Sequence, residues 1–259
     1  MNALHSLAAA WRCHRPLLLL LAVVAASWGL FLEVAHELRE DRRQPDHGFP
    51  FDRPVLNFLH QRPTPALCAV AAQLSDLQGP VWLSVYALGA FGLGWGLYRR
   101  RYREVGFAVG AVGGTMAFNL LAKYHFERLR PDFYHQVCGE ALRQLPDPSF
   151  PSGHVMASLA LASAAGILGW RTRWRWVGWG IGLLFALGVA WSRLYLAAHY
   201  PSDVLAGWFA TGGWVGSLYL AFARYIRARP AYPAAVTHHL LPFAGKSIWI
   251  NCKSLFPVN

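Results

Sequence analysis

Six apolar runs restrict what this 259-residue chain can fold into. A helix rises about 1.5 Å per residue and the hydrocarbon layer of a bilayer is about 30 Å thick, so about 20 predominantly apolar residues can cross it. The runs extend from Leu17 to Ala35, Val81 to Tyr98, Val105 to Ala122, Val155 to Trp170, Val177 to Trp191 and Val204 to Ala223. Several are a little short. Flanking polar residues can lengthen the helices, and Trp170, Trp174, Trp176, Trp179 and Trp191 can anchor the shorter ones at the interface. Composition agrees, with 55% hydrophobic and 14% charged residues, where a soluble domain carries about a quarter charged. The expectation is all-α: a polytopic integral membrane bundle of about six transmembrane helices over residues 1–229, with a tail, 230–259, that shows no clear period.

The first run has a rival reading as a cleaved leader, since Arg12 and Arg15 precede it and Ala25, Ala26 and Ser27 are small. Apolar residues nevertheless continue through Trp28, Gly29, Leu30, Phe31 and Leu32, which favours an uncleaved anchor. Clusters of small residues, Gly110, Gly113 and Gly114, then Gly212, Gly213 and Gly216, either let spanning helices approach closely or reflect composition alone. From Phe51 to Leu77, positions such as Val55, Leu56, Phe58 and Leu59, then Ala66, Leu67, Val70 and Leu74, read as amphipathic helix lying at the interface or packed on the bundle.

A formal net charge of +11 could serve nucleic acid, anionic lipid or cytoplasmic loops, and its placement decides among them. The Arg clusters are short and lie between apolar runs, so no nucleic-acid partner is expected. Arg12 and Arg15, Arg99 to Arg101 with Arg103, Arg171, Arg173 and Arg175, and Arg224, Arg227 and Arg229 all fall on one side of a six-span chain. The positive-inside rule makes that side cytoplasmic. The other side carries Arg39, Arg42, Arg43, Arg53 and Arg62 in a long first loop, among Glu37, Glu40, Asp41, Asp46 and Asp52. Cys13, Cys68, Cys138 and Cys252 show no metal or redox spacing and read as ordinary thiols. Cys68 and Cys138 share the non-cytoplasmic side, where a disulfide is permitted.

Three motifs gather at that same side. Lys123 and Arg130-Pro131 lie between spans three and four, Pro151-Ser152-Gly153-His154 opens span four, and Ser192-Arg193 with His199 and Asp203 joins spans five and six. Phosphoryl transfer needs cations to neutralise the phosphate oxygens, a nucleophile and a proton donor. Lys123, Arg130 and Arg193 can supply the charge, Arg as a planar fork and Lys as a compact point. Ser152 and Gly153 stand where a helix N-terminus would direct free N–H groups at an anion. Pro201 is suited to starting the next helix with Asp203 in its first turn, so that this carboxylate can orient the imidazole of His199 and leave His154 to move a proton. Each residue alone has a plainer role as a cap, an anchor or a satisfied polar group, but ionisable groups clustered at membrane depth are costly and point to function.

Lys123 with six residues before Arg130-Pro131, the Pro151-Ser152-Gly153-His154 turn, and Ser192-Arg193 with five residues before His199 and three more before Asp203 resemble the ordered signatures of the type 2 phosphatidic acid phosphatase superfamily. The match covers residues 123–203 at every signature position. The resemblance implies a metal-free lipid phosphatase with no cofactor. His199 would attack phosphorus to form a phosphohistidine, Asp203 would support it, and His154 would protonate the leaving group and later activate water. Lys123, Arg130, Ser152, Gly153 and Arg193 would hold the phosphate. Membrane lipids and a lipid phosphate substrate are the implied partners, and a bacterial inner membrane with an outward-facing site the implied location. Transfer of the phosphoryl group to a lipid or sugar acceptor, and non-catalytic lipid binding or transport, remain open beside hydrolysis. The lipid, the oligomeric state and any role of the tail are not legible.

Overall fold

A computed structural model describes residues 2–40, 49–61, 63–131, 138 and 147–227, with side chains from 15 to 223 within those bounds. The tail 230–259 with Cys252, the loop residues Asp41, Arg42, Arg43, Asp46 and Arg62, and the side chains of Arg12, Cys13, Arg224 and Arg227 lie outside that description. The elements are α1 (Asn2–Glu40), α2 (Asp52–Leu59), α3 (Pro65–Ser75), α4 (Pro80–Tyr98), α5 (Tyr102–Phe126), α6 (Gly153–Leu168), a 3-10 turn (Gly169–Arg171), α7 (Arg175–Tyr195) and α8 (Pro201–Arg227). No strand occurs among the described residues, and six helices are long and apolar enough to cross a membrane. The fold is therefore the all-α bundle expected.

Most spans are longer than their apolar runs, because residues at the ends continue the helix; α6 instead starts two residues early and gives way to the 3-10 turn at Gly169. The third run, Val105 to Ala122, becomes Tyr102–Phe126, which carries Lys123 into the last turn of α5. The stretch from Phe51 to Leu77 departs further from a single interfacial helix. Pro63 and Pro65 interrupt it, and the Thr64 hydroxyl caps the second half by accepting a hydrogen bond from Leu67 N at 3.3 Å. The first half is packed against the bundle rather than laid on lipid, since Asp52 and Leu56 are both fully buried.

Helix α1 runs along α8, α6 along α7, and α5 lies against α6 and α8. Burying an apolar side chain among helices gains little over burying it in lipid, so close van der Waals contact and hydrogen bonds decide the packing. That is the use of the glycines at these contacts. A Cβ on Gly213 would sit 2.8 Å from the Trp28 ring and one on Gly114 2.3 Å from Trp214, and Trp28 Nε1 donates across the α1–α8 contact to Ser217 Oγ at 3.2 Å. Phe31, Phe126, Phe150, Met156 and Ala206 fill the core just beneath the motif end of the bundle.

Helix α4 is the most outward-facing span, with Leu88 and Phe91 over 70% exposed (72% and 71%). Its first turn is pinned by Trp82, whose Nε1 donates to Leu74 O at 2.8 Å. Cys68 of α3 is bonded to Cys138, in the connection between α5 and α6. This corrects the reading of both as ordinary thiols: the fold brings their Cα atoms within 5.5 Å, a proximity that no spacing in the sequence announces.

Candidate active site

The three motifs meet at one end of the bundle because each stands at a helix terminus: Lys123 in the last turn of α5, Ser152 and Gly153 at the start of α6, Arg193 in the last turn of α7 and Asp203 in the first of α8. Glu127, with φ of 47°, ends α5 in the left-handed region, and the chain then turns through Arg128 and Arg130. Ser149 holds this turn by donating to Arg128 O at 2.8 Å and from its hydroxyl to Leu129 O at 3.1 Å.

A tight reversal aims His199. Ala197 has φ of 52°, Ala198 N donates to Arg193 O and Ala197 N to Leu194 O, both at 3.0 Å. This pairing is a Schellman motif with alanine where glycine is usual. Helix α8 then begins at Pro201, and Asp203 reaches back to accept from Tyr200 N through Oδ2 at 2.9 Å, one half of a capping box.

His199 is 1% exposed and Asp203 is fully buried. His199 Nδ1 faces Asp203 Oδ2 at 3.5 Å, longer than a hydrogen bond proper, while Nε2 lies 3.3 Å from Arg130 Nη1. A guanidinium only donates, so this arrangement suits the tautomer with hydrogen on Nδ1 and the Nε2 lone pair facing the cations. Burial, then the charges of Arg130, Arg193, Lys123 and His154, hold the His199 pKa well below its ordinary value. The ring is thus neutral at neutral pH.

Arg193 is 2% exposed, which excludes a membrane-edge anchor. Its Nε and Nη2, together with Ser152 Oγ and His199 Nδ1, are buried polar atoms without a hydrogen-bond partner. Leaving buried donors unmet costs about 1–3 kcal/mol each, so Ser152 Oγ and the two Arg193 nitrogens need partners that the described residues do not supply. Ser152 occupies the N-cap position of α6 but its side chain makes no cap bond; its N–H donates to Asp203 O at 3.2 Å. Gly153 leaves just enough room for Asn119, since a Cβ there would lie 2.9 Å from Asn119 Oδ1.

Asp147, which the motifs do not include, pairs with two of the motif cations. Its carboxylate bonds Lys123 Nζ and, at 2.8 Å, Arg130 Nη2, while Arg130 Nε donates to its backbone oxygen at 3.0 Å. Burial alone would raise the Asp147 pKa, but the Lys123 hydrogen bond and the Arg130 charge prevail and bring it down to about 2. His154 donates from Nε2 or accepts there according to tautomer; its neighbour is Ser75 O at 2.9 Å, a pure acceptor, so Nε2 carries hydrogen and Nδ1 is the nitrogen able to exchange a proton. Ser75 Oγ also bonds Ser192 Oγ at 2.9 Å.

A buried network behind Asp203 was equally absent from the motif reading. Arg128 Nη1 donates to Asp203 Oδ1 at 2.6 Å and to Ser202 Oγ at 2.7 Å, and Nη2 donates to Asp52 Oδ2 at 3.0 Å. Arg128 sits between Lys123 and Arg130, which is a weak signal; Asp52, in the first turn of a short helix, gives none. Among the described residues no group of three or more His, Cys, Asp or Glu is arranged to hold a metal.

A helical bundle with six candidate membrane spans that gathers Lys123, Arg130, Arg193, His154 and His199 at one end defines a class of integral membrane protein with a buried cationic site. Residues 104–227 match the PAP2 superfamily, and the chain belongs to that superfamily. It is 30% identical over 140 residues to an undecaprenyl-diphosphatase of Sulfolobus acidocaldarius, covering 53% of this chain and 61% of that one. It is 32% identical over 137 residues to a decaprenylphosphoryl-5-phosphoribose phosphatase of Mycobacterium tuberculosis, covering 53% of this chain and 68% of that one. The fold is shared with the crystal structure of a transmembrane PAP2 type phosphatidylglycerolphosphate phosphatase from Bacillus subtilis, at a TM-score of 0.60 and 24% identity over 78% of this chain and 98% of that one. The chain thus spans about three-fifths of the first of these relatives, 61% of its length.

Proposed function

We propose that this protein is a membrane lipid phosphatase that removes phosphate from a lipid phosphate or diphosphate through a phosphohistidine at His199. The observation that carries this reading is the buried, unmet Ser152 Oγ and Arg193 Nε and Nη2, together with Lys123 and Arg130 paired on Asp147 and Arg130 lying beside His199 Nε2. A phosphate group would take the Ser152 and Arg193 donors and replace Asp147 on the two cations, while His199 Nδ1 stays turned to Asp203. His199 Nε2 attacks phosphorus in line, Lys123, Arg130, Arg193 and the α6 N-terminus at Ser152 and Gly153 take up the charge on the oxygens, and Asp203 stabilises the imidazolium as it forms. The leaving oxygen takes a proton from His154 Nδ1, His154 entering this step as the imidazolium paired with the bound phosphate dianion and keeping its Nε2 hydrogen on Ser75 O. His154 then accepts a proton from water as that water cleaves the phosphorus–nitrogen bond, which releases inorganic phosphate and restores His199.

An isoprenyl diphosphate is the favoured substrate class, because the relatives named above are an undecaprenyl-diphosphatase and a decaprenylphosphoryl-5-phosphoribose phosphatase; a glycerophospholipid phosphate is second. The arginines at the far end of the bundle and the Cys68–Cys138 disulfide at the motif end support a site on the outer, oxidising face of a bacterial inner membrane, with residues 1–229 as one membrane domain. Phosphoryl transfer to another acceptor would use the same residues up to the second step.

Detergent-purified protein and its His199→Ala variant, assayed in EDTA on undecaprenyl diphosphate, phosphatidylglycerol phosphate and phosphatidic acid, test the reading. Wild type is expected to release phosphate and the variant none. Release that survives the substitution removes His199 as nucleophile, and release that collapses in EDTA replaces the metal-free route.

A further inference from the structure

Asp52 belongs to no motif and lies outside residues 104–227, which match the superfamily. Its carboxylate is nevertheless fully buried and accepts hydrogen bonds at both oxygens. Oδ1 accepts from Ser202 N at 2.8 Å; Oδ2 accepts from Ser202 Oγ at 2.6 Å, Arg128 Nη2 at 3.0 Å and Phe49 N at 3.1 Å. Burial raises the Asp52 pKa, while the Arg128 charge and the Ser202 and Arg128 hydrogen bonds oppose it; with Ser202 N, Arg128 Nη2 and Phe49 N able only to donate, the geometry suits the ionised form. Burying a charge this completely is costly unless it is paired, and a site that needed only to close the helix start could do so with a neutral residue.

We propose that Asp52 is a positioning residue for the hydrolytic reaction: through Arg128 and Ser202 it fixes the catalytic carboxylate of Asp203 and leaves that carboxylate its negative charge. This rests on the reading of His199 as nucleophile and Asp203 as its support. Two carboxylates share one guanidinium, Asp52 at Nη2 and Asp203 Oδ1 at Nη1. Arg128 alone would cancel the charge of Asp203. With Asp52 opposite, the trio keeps one net negative charge, and it lies where His199 becomes positive during attack.

The geometry is fixed from three sides. The Arg128 guanidinium lies 4.1 Å from the Tyr200 ring centre, Ser202 Oγ receives from Arg128 and gives to Asp52, and Ser202 and Asp203 are neighbours in the first turn of α8. Asp203 Oδ1 is thereby occupied, and Oδ2 is the oxygen left toward His199 Nδ1. Helix α2, remote in sequence from the motifs, thus completes the support of the nucleophile, much as outer partners orient and tune ligand groups at catalytic centres.

The test is steady-state kinetics on full-length protein in detergent for wild type, Asp52→Asn, Asp203→Asn and the double variant, with His199→Ala as the reference for the underlying reaction. Asp52→Asn keeps the shape and removes the charge; kcat is expected to fall about 10- to 100-fold with KM changed less than about threefold. In the Asp203→Asn background the same substitution should cost less than about twofold, because the group it acts through has been neutralised. Unchanged kcat in Asp52→Asn, or an equal loss in both backgrounds, overturns the proposal. Should Asp52→Asn fail to yield folded protein, Ser202→Ala cuts the shared link, and its loss must likewise vanish in the Asp203→Asn background or the proposal falls. An active His199→Ala, or an inactive wild type, overturns the underlying reaction and this role with it.

Discussion

Helix α7 carries an arginine at each end, and the two could hardly be treated more differently. At its start, the Arg175 guanidinium lies over the exposed rings of Trp170 and Trp176 at 5.5 and 5.6 Å, with Arg173 over Trp174 at 5.1 Å. At its end, Arg193 is 2% exposed, with Nε and Nη2 unmet. The first arrangement leaves the charge in contact with water and lipid headgroups and is worth about 0.5–1 kcal/mol per contact. The second removes a charge from solvent with Asp147 as its nearby counter-charge and two nitrogens unmet, a state that a bound anion would relieve. Residue type and position at a helix end are the same, so burial and partners alone separate a surface anchor from a buried guanidinium with donors to spare.

Matched substitutions at the two ends probe this contrast most sharply. Arg193→Lys keeps the charge but loses the planar fork, and kcat/KM for phosphate release is expected to fall about 100-fold, in the range for losing one oriented donor to a developing oxyanion. Arg175→Lys should stay within about twofold of wild type. Comparable losses at both ends would dissolve the distinction. A smaller effect is expected at Asp147, whose half-exposed carboxylate, at 48% side-chain exposure, pairs with Lys123 and Arg130 and on the proposed reading competes with phosphate for them. Asp147→Asn should strengthen inhibition by inorganic phosphate about two- to fivefold, the scale of a partly exposed ion pair; weaker inhibition would mean that Asp147 orders the cations rather than competing for them. The smallest effect concerns the hinge between Arg193 and His199. Ala197→Gly relieves a left-handed alanine worth about 1 kcal/mol and should raise the unfolding temperature in detergent by a few degrees, whereas a lowered temperature would show that the reversal depends on the stiffness of alanine.

The spans and the site were readable to different depths. Apolar runs reported the six helices, because lipid imposes one length and one polarity on each crossing, but their ends were hidden in polar residues such as Lys123 and Tyr195 that continue a helix as readily as they stop it. Lys123, Arg130, Ser152, His154, Arg193, His199 and Asp203 were legible as a group because the chemistry of phosphate needs those residue types and counting spans puts them at one end. Asp147 and Asp52 were not. Each works through a partner that only the folded chain supplies, and an aspartate in the first turn of a short helix reads as a dipole charge whether or not an arginine 76 positions away comes to meet it. The same holds for Ser75, whose contribution to His154 is a backbone oxygen, a group every residue has.

The Cys68–Cys138 bond has a consequence for biogenesis. It closes a covalent ring 70 residues around, and that ring contains α4 and α5 entire. Cys68 precedes the one and Cys138 follows the other, so the two thiols can meet only after the chain has crossed the bilayer and returned. A chain captured during synthesis with α5 still uninserted holds Cys68 reduced, and its oxidation marks the moment at which the end of α5, with Lys123 and Arg130, arrives on the side where the site will be assembled.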